Sequence, residues 1–545
     1  MKKVVIVGGV AGGASAAARL RRLDEEAEII LFEKDEFISF ANCGLPYHIG
    51  ETITERSKLI VQTPAAMKSR FEIDIRTRSK VLSVDTAART VRVASMEKGE
   101  YTESYDALIL APGVEPIALP CKNTCPGRVL SLRTIPDMDK IKEAIGQGQI
   151  KTAAIIGGGY IGVETAENLR QIGVEVTLVE AAPHILAPFD SEMAILAERE
   201  LGKHGVKVVL SDMLEAVEEA DGQVSLTLAS GQVIQAGLVI SAIGVTPATG
   251  FLLDSGIDLG KKGHIIVNDR MQTNAPGVYA VGDAIEVMDF VTGKPTAIPL
   301  AGPANKQGRI AADNICGISH RYGGTQGTAI LKVFGLTAAS TGANERTLKQ
   351  LGIEYTAIWT HPFSHATYYP GASQMSCKLL FAKSGKILGC QIVGTQGVDK
   401  HIDVVATVIR LGGTVFDLCD LELAYAPPFS SAKDPVNMLG FVAQNILEGR
   451  SNIVDFNDVM NRDTERTILV DVRKPDEFVR GHIEGAVNIP VDELRSRLDE
   501  IDRDKEVIEY CQVGLRGHVA ERILTQHGYK VKNLTGGWKT YSTII

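Results

Sequence analysis

No stretch of this 545-residue chain approaches about 18 consecutive apolar residues, the length a membrane-crossing helix needs, so no membrane span is expected. Blocks of lysine and arginine are also missing. The 57 basic residues are set against 66 acidic ones, for a formal net charge of −9, and no nucleic-acid partner is expected. Cysteine is sparse: Cys43, Cys121, Cys125, Cys316, Cys377, Cys390, Cys419 and Cys511. So few in so long a chain do not make a disulfide framework, and a reducing, cytoplasmic location is expected. Met1-Lys2-Lys3-Val4-Val5-Ile6-Val7 has the charged end of a signal peptide. Its apolar run is too short, however, and breaks at once into glycines, as a buried first strand does. Cys121 and Cys125 flank Lys122-Asn123-Thr124 in a proline-rich loop. Two further zinc ligands at suitable spacing are lacking, so these read as loop cysteines and no metal is expected. The hydrophobic fraction of 45% and charged fraction of 23% are those of a globular protein. The length suggests roughly three or four domains.

What the chain does have is two strand–glycine turn–helix–strand–acid arrangements. Val4-Val5-Ile6-Val7 reads as a buried parallel strand by its β-branched run. Gly8-Gly9-Val10-Ala11-Gly12-Gly13 follows, then an alanine-rich helix from Ala14 to Leu23. A strand, Glu28-Ile29-Ile30-Leu31-Phe32, then ends in Glu33. Such glycines let backbone approach a pyrophosphate at a helix N-terminus, and the acid accepts ribose hydroxyls. Val10 stands where G-x-G-x-x-G has its second glycine, so this copy alone is a weak match. The second copy is complete. Ala153 to Ile156 leads into Gly157-Gly158-Gly159-Tyr160-Ile161-Gly162, a helix from Val163 to Gln171, and a strand from Val174 to Val179 ending in Glu180. Two fingerprints about 150 residues apart imply two dinucleotides. Glu180 would repel a 2′-phosphate, and Ala181-Ala182-Pro183 supplies no arginine. NADH is therefore favoured over NADPH, with His184 keeping NADPH open.

Thr273-Asn274-Ala275-Pro276-Gly277-Val278-Tyr279-Ala280-Val281-Gly282-Asp283 is a strand ending in Gly-Asp. Here the chain resembles the FAD-dependent pyridine nucleotide–disulfide oxidoreductases. Two crossing segments of that family also appear, Ala107 to Gly113 and Val239 to Pro247. The resemblance implies an α/β fold with two nested Rossmann-like domains. Residues 1–112 and 248–322 would bind FAD, and 113–247 would bind NAD. For FAD it implies Gly8, Gly9, Ala11, Gly12, Gly13, Glu33, Lys34, Ala111, Pro112, Gly113, Gly282, Asp283, Pro299 and Ala301. For the nicotinamide cofactor it implies Gly157, Gly159, Tyr160, Ile161, Gly162, Glu180 and Gly244.

Ser39-Phe40-Ala41-Asn42-Cys43-Gly44-Leu45-Pro46-Tyr47 holds one cysteine with no partner nearby. Out of context, an isolated cysteine is a small buried apolar residue. This one follows a nucleotide-binding unit. The Cys-x-x-x-x-Cys pair of most disulfide reductases is absent, and the stretch is similar to the single-cysteine branch, most closely the coenzyme A-disulfide reductases. Residues after Cys43 can open a helix, whose N-terminus stabilises a thiolate. A thiolate beside a flavin attacks a disulfide or persulfide sulfur, and with no second cysteine the reduced flavin must resolve the mixed disulfide. Ser15, Arg19 and Arg22 share one helix face at i, i+4 and i+7. The resemblance implies that this face, with Ser39 and Asn42, holds coenzyme A, the arginines taking its phosphates. A solvated helix face is the alternative.

From about Tyr322 the pattern changes to mixed strands and helices, including strands at Ala329 to Phe334 and Ile387 to Gly394 and a helix at Asp399 to Leu411. The resemblance implies an α+β dimerisation domain, 323–448, that caps the other subunit's flavin in a homodimer. It implies that tyrosines from His365 to Gly371 and from Ala424 to Pro435 reach across the dimer towards the cysteine and donate protons or hydrogen bonds to the leaving thiolate. Tyr425 is one; for the other, Tyr368 and Tyr369 remain open. Lys433 would contact the coenzyme. The alternative is aromatic packing at a domain interface. Cys377, Cys390 and Cys419 read as core.

After the short linker Gly449-Arg450-Ser451-Asn452, the strand at Thr467 to Arg473 leads into Pro475 to Pro490. This run resembles the rhodanese domain, which 449–545 would form. A strand at Glu506 to Tyr510 delivers Cys511-Gln512-Val513-Gly514-Leu515-Arg516-Gly517, and Gly536-Gly537-Trp538 also matches. A loop of backbone N–H groups around a sulfur stabilises a thiolate or persulfide. Arg516 would add positive charge for an anionic donor or coenzyme A phosphate. The expected activity is NADH-dependent reduction of coenzyme A disulfide and coenzyme A persulfide or polysulfide, with Cys511 carrying sulfane sulfur. The rivals are an NADH oxidase or peroxidase cycling Cys43 through sulfenic acid, and a sulfur-relay scaffold with a vestigial flavin.

Overall fold

The computed structural model describes residues 2–146, 150–220 and 223–545. They fall into two compact units, one of Met1–Ile185 with His204–Gly327 and the other of Leu186–Lys203 with Thr328–Ile545. Among the described residues, no helix is long and apolar enough to cross a membrane.

The first unit is built on two parallel five-stranded sheets of like design. In one, Lys3–Val7 is central, with Glu28–Phe32 and Asp74–Arg76 on one side and Ala107–Leu110 and Val278–Ala280 on the other. In the other, Thr152–Ile156 is central, with Glu175–Val179 and Lys207–Val209 on one side and Leu238–Ser241 and Val129–Ser131 on the other. The central strands are near-continuous apolar runs because helices cover parallel sheets on both faces; Val5, Ile6, Ile30, Leu31, Leu108 and Ile109 are all buried. Val278–Ala280 completes the first sheet although the second sheet's strands lie before it in sequence. The chain crosses between the sheets twice, and its crossings, Val114–Pro116 and Val245–Pro247, pair antiparallel.

Both helices that follow a glycine turn start earlier than the sequence suggests, at Ala11 rather than Ala14 and at Tyr160 rather than Val163. Glycine's low helix propensity hides the first turn. Close packing overrides it: a Cβ on Gly13 would stand 1.9 Å from the Gly8 carbonyl oxygen, and one on Gly162 2.0 Å from that of Gly157.

The second unit contains an antiparallel sheet in the order Ala329–Val333, Leu336–Gly342, Ile387–Gly394, Ser376–Phe381, Thr356–Thr360. The amphipathic helix Val398–Arg410 lies on it. Lys378, fully buried on this sheet, meets three carboxylates, Asp190 at 2.7 Å, Glu345 at 2.5 Å, and Glu192. Two of them come from the Leu186–Lys203 segment, which is pinned here by a buried charge that has its counter-ions. Cys377 and Cys390 are core, as expected, and Cys419 is half-buried.

The same unit holds a parallel C-terminal sheet in the order Ile453–Val454, Val531–Leu534, Glu506–Tyr510, Thr467–Asp471, Ala486–Asn488. It is seated on the antiparallel sheet through buried polar contacts. The Trp359 N–H donates to Thr535 Oγ1 at 3.1 Å, and His361 Nε2 lies 2.8 Å from Thr540 Oγ1. Lys539 Nζ donates to Gln374 Oε1 at 2.5 Å. The short linker therefore leads into a docked domain.

Candidate active sites

The two glycine turns are superposable in their chemistry. Gly8 has φ of +99° and Gly157 +106°, backbone that L side chains rarely adopt. Cβ atoms there would lie 2.0 Å from Ala111 O and 2.4 Å from Ala242 O. In each copy the acid that ends the next strand turns back to the loop. The Gly9 and Asp35 N–H groups donate to Glu33 at 2.8 and 3.0 Å, and those of Gly158 and Ala182 donate to Glu180 at 2.7 Å each. Burial pushes the Glu33 carboxyl up, against those two N–H donors. Ala11, Gly12 and Gly13 lie in the first turn of the helix Ala11–Leu23, and Tyr160, Ile161 and Gly162 begin the helix Tyr160–Gln171. Lys34 instead pairs with Glu115 at 2.9 Å, both exposed.

Around the first cradle, Gly282 has φ of +84° and donates its N–H to Gln307 Oε1 at 2.8 Å. Burial raises the neighbouring Asp283 carboxyl, and the Arg133 guanidinium opposes this. Pro299 precedes the helix Ala301–Ile315, which opens at Ala301. Ala111, Pro112 and Gly113 follow the strand Ala107–Leu110, while Gly244, at φ +127°, accepts from the Ile117 N–H. Arg133 was not singled out by sequence. Its guanidinium would sit 2.6 Å from a Gly113 Cβ, and its Nε is buried without a partner among the described residues. A cradle that leaves no room for a Cβ, lined by a buried cationic donor in search of an acceptor, fits the pyrophosphate of a dinucleotide.

Cys43 lies in a short turn, Asn42–Gly44, just before the helix Leu45–Ile49. Ser39, at a left-handed φ of 42°, ties this stretch to the cradle by donating its N–H to Gly9 O at 2.9 Å. Asn42 Nδ2 reaches Arg133 O at 3.4 Å. The thiol is open to solvent yet half-enclosed; this enclosure, then the charges of Glu164 and Asp283, push it up. That differs from the expected thiolate-stabilising helix start. Leu45–Ile49 is only five residues long, and the groups bearing on the sulfur from outside its own backbone are carboxylates. Glu164, also missed by sequence, accepts from the Tyr47 hydroxyl at 3.1 Å. Its one local signal is its position two residues after the second glycine turn.

On the face Ser15, Arg19 and Arg22, the Ser15 Oγ donates to Asn305 Oδ1 at 2.5 Å and Arg19 pairs with Asp313 at 2.7 Å. Arg22 is exposed. Only part of that basic face is therefore uncommitted. In the second unit the Tyr368 and Tyr425 hydroxyls are hydrogen-bonded, while Tyr369 stands edge-on to His365 at 5.8 Å. Lys433 is exposed nearby in sequence.

Cys511 is buried at the end of Glu506–Tyr510, and the Gly514 N–H donates to its sulfur at 3.1 Å. The N–H groups of Gly517 and Val513 also stabilise the thiolate, but burial and Glu509 outweigh them and raise the thiol. Gly537 closes the loop from behind: the Trp538 N–H donates to Cys511 O at 2.8 Å, and a Cβ on Gly537 would meet that oxygen at 2.4 Å. Arg473, buried against Asp471 at 2.6 Å, also donates to Gln512 Oε1 at 3.2 Å. Arg516 departs from expectation. Its guanidinium is already held by both oxygens of Glu477, at 2.6 and 2.8 Å, which keeps that carboxyl down at about 2. Its charge is thus matched within the domain.

Residues 2–308 match the pyridine nucleotide-disulphide oxidoreductase family, 328–435 that family's dimerisation domain, and 455–543 the rhodanese-like domain. A coenzyme A disulfide reductase of Staphylococcus aureus (strain bovine RF122 / ET3-1) is 36% identical over 447 residues, which are 82% of this chain and 100% of that one. The structure of reduced Bacillus anthracis CoADR-RHD matches with TM-score 0.97 at 49% identity, covering 100% of this chain and 98% of that one. That of a NAD-dependent persulfide reductase from A. fulgidus matches with TM-score 0.91 at 36% identity, covering 99% and 100%. The chain belongs to the pyridine nucleotide-disulphide oxidoreductases, and it carries a rhodanese-like domain behind the family's dimerisation domain.

Proposed function

We propose that this chain uses NADH, with NADPH the less favoured donor, to reduce coenzyme A disulfide and coenzyme A persulfide or polysulfide. Cys43 is the reacting sulfur and Cys511 the sulfane-sulfur carrier. One observation carries the reading: the solvent-open, unpaired Cys43 shares a chain with two dinucleotide cradles and with Cys511 in its amide loop. The relatives named above point to the same substrates. The working division into modules remains 1–112 with 248–322, 113–247, 323–448 and 449–545, in a cytoplasmic homodimer.

Gly8, Gly9, Ala11 to Gly13, Glu33, Ala111 to Gly113, Gly282 and Asp283 would hold FAD, with Arg133 on its pyrophosphate. Gly157, Gly159 to Gly162, Glu180 and Gly244 would hold the nicotinamide cofactor. FAD, when bound, passes two electrons from the nicotinamide to sulfur. The protein's own part is sulfur chemistry. The thiol of coenzyme A takes the outer sulfur of a Cys511 persulfide, leaving the Cys511 thiolate and coenzyme A persulfide. The Cys43 thiolate attacks that persulfide, forming a Cys43–coenzyme A disulfide and releasing sulfide. Two electrons and one proton then cleave this bond to the Cys43 thiolate and coenzyme A. With coenzyme A disulfide as substrate, the first leaving group is a thiolate, and Tyr425 with Tyr368 protonates it across the dimer. Ser15, Arg19, Arg22, Ser39, Asn42 and Lys433 would hold the coenzyme.

The test is anaerobic reduction of the flavin-loaded protein with NADH, then parallel titration with coenzyme A disulfide and coenzyme A persulfide while flavin reoxidation is followed. Rapid reoxidation by either bears the proposal out, and the faster one names the preferred substrate. Reoxidation by oxygen or peroxide alone overturns it in favour of an oxidase or peroxidase.

A further inference from the structure

Ser430 is fully buried shortly after Tyr425, and its N–H, C=O and hydroxyl are each hydrogen-bonded. Its N–H donates to Ala426 O at 3.2 Å, and the Phe429 N–H reaches the same oxygen at 2.9 Å, closing a tight turn directly after Tyr425. Its C=O accepts from the Ala366 N–H at 3.1 Å, and Ala366 O accepts in turn from the Tyr369 N–H at 2.9 Å. The loop bearing Tyr368 therefore hangs from the same residue. The Ser430 hydroxyl donates to Asp434 Oδ2 at 2.7 Å.

Asp434 is buried too and anchors the arrangement. Its Oδ1 accepts from the Val436 N–H at 2.9 Å and caps the helix Pro435–Leu447. His401 Nε2 and Lys400 Nζ each stand 3.5 Å from Oδ2. His401, fully buried on Val398–Arg410, is fixed from its other side, where Nδ1 donates to Gly397 O at 2.5 Å. Burial works against the Asp434 carboxylate, yet His401, the Ser430 hydroxyl and the Val436 N–H hold it well below its ordinary range. Gly397 also abuts the start of the Tyr368 loop: a Cβ there would lie 3.4 Å from Ser364 Cβ. These bonds matter because the tyrosines are exposed and have no packing of their own to place them.

Resting on the reading of Tyr368 and Tyr425 as donors to the leaving thiolate, we propose that Ser430, bonded to Asp434 against His401, is the positioning residue that sets the two phenols for that step. It works through the two hydroxyls, which meet at 2.7 Å. Its main-chain donor and acceptor hold the two loops in register, and its hydroxyl bond to Asp434 keeps Ser430 itself from shifting. A displacement of about 1 Å in a catalytic group costs about 100-fold in rate, so one buried hydroxyl governs two exposed phenols.

The experiment is a double-mutant cycle in the full-length, flavin-loaded protein. Ser430→Ala is made in the unmodified chain and in one carrying Tyr368→Phe and Tyr425→Phe, and kcat/KM for coenzyme A disulfide is measured in all four proteins. With the tyrosines in place, Ser430→Ala is expected to lower it by about 100-fold. Without them the loss should be under about twofold, because a group that acts through the phenols has nothing left to place. Anaerobic stopped-flow reduction of the flavin by NADH, which the phenols do not enter, should be alike in all four, whereas a general loss of structure would slow it. Should Ser430→Ala fail to fold, Asp434→Asn takes its place in the cycle with the same expected non-additivity. It keeps the helix cap and puts an amide where Oδ2 accepted. A loss of equal size with and without the tyrosines overturns the proposal, as does full activity of Ser430→Ala. No loss on Tyr368→Phe with Tyr425→Phe would instead strike the reading of the tyrosines, and the positioning role with it.

Discussion

The hydroxyls of Tyr368 and Tyr425 lie 2.7 Å apart, joining two loops 57 residues apart in the chain. Both side chains are exposed, Tyr368 at 73% and Tyr425 at 47%. Packing within one chain does not explain this pair, since neither phenol is buried by the other's loop. The bond to Tyr425 raises the Tyr368 phenol, which therefore keeps its proton at neutral pH.

That arrangement makes the two tyrosines a unit. Tyr425→Phe is expected to lower kcat/KM for coenzyme A disulfide by about 100-fold or more, as for loss of a general acid. Tyr368→Phe should have a smaller effect, and the double variant should be little worse than Tyr425→Phe alone, as residues acting together are non-additive. Tyr369→Phe should change nothing. Steady-state kinetics on the four proteins decides this, and equal effects from Tyr369→Phe and Tyr368→Phe would count against it.

The parts proposed for Cys43 and Cys511 should separate cleanly. Cys43→Ser is expected to abolish NADH-dependent release of thiol from any substrate. Cys511→Ser should leave disulfide reduction within twofold and slow persulfide turnover at low substrate. Unchanged persulfide turnover would mean that the C-terminal domain does not feed the reductase.

Glu509 sits on the strand that delivers Cys511, at 0% exposure, and its register partner is Asn533. Neither carboxyl oxygen, nor Asn533 Oδ1, has a partner among the described residues. Burial, then the charges of Glu521 and Asp471, raise this carboxyl well above its ordinary 4.5. An acid whose folded pKa is raised favours folding below its unfolded pKa and loses that contribution as pH climbs towards the folded value. Each pH unit over that span removes about 1.4 kcal/mol. Glu509→Gln should therefore raise the melting temperature at pH 8 clearly more than at pH 5. Calorimetry at both pH values tests it, and equal shifts would show the carboxyl to be ionised in the fold.

The seat of the C-terminal domain is also testable. His361 is held neutral by burial, down to about 3, and bridges Ser376 and Thr540 at 3.1 and 2.8 Å. Thr540→Val strands its Nε2 and is expected to cost about 1–3 kcal/mol. A histidine with a lowered folded pKa favours folding above its unfolded value, 6.5, and ceases to as pH falls through the folded one. Differential scanning calorimetry should show the C-terminal domain melting with the antiparallel sheet in the unmodified chain, and ahead of it in Thr540→Val below pH 6. Independent melting of the two in the unmodified chain would refute a fixed seat.

The local features were legible in advance. The glycine turns at Gly8 and Gly157, the acids Glu33 and Glu180, and the loop after Cys511 are demands of backbone on single positions: positive φ, room for a close approach, a nest of N–H groups. Such demands fall on particular residue types at short spacing, so the amino-acid sequence by itself determined them. It did not determine which distant side chains would meet. The meeting of Tyr425 with Tyr368, the Tyr47–Glu164 contact, the pairing of Arg516 with Glu477 and the docking through His361 and Thr540 join segments that periodicity and propensity treat separately. The ionisation of Cys43 and Cys511 belongs with these. A helix start or an amide loop reads as thiolate-stabilising by itself, but burial and the carboxylates brought beside each sulfur by the tertiary fold outweigh it, because the energy of a charge depends on everything packed around it.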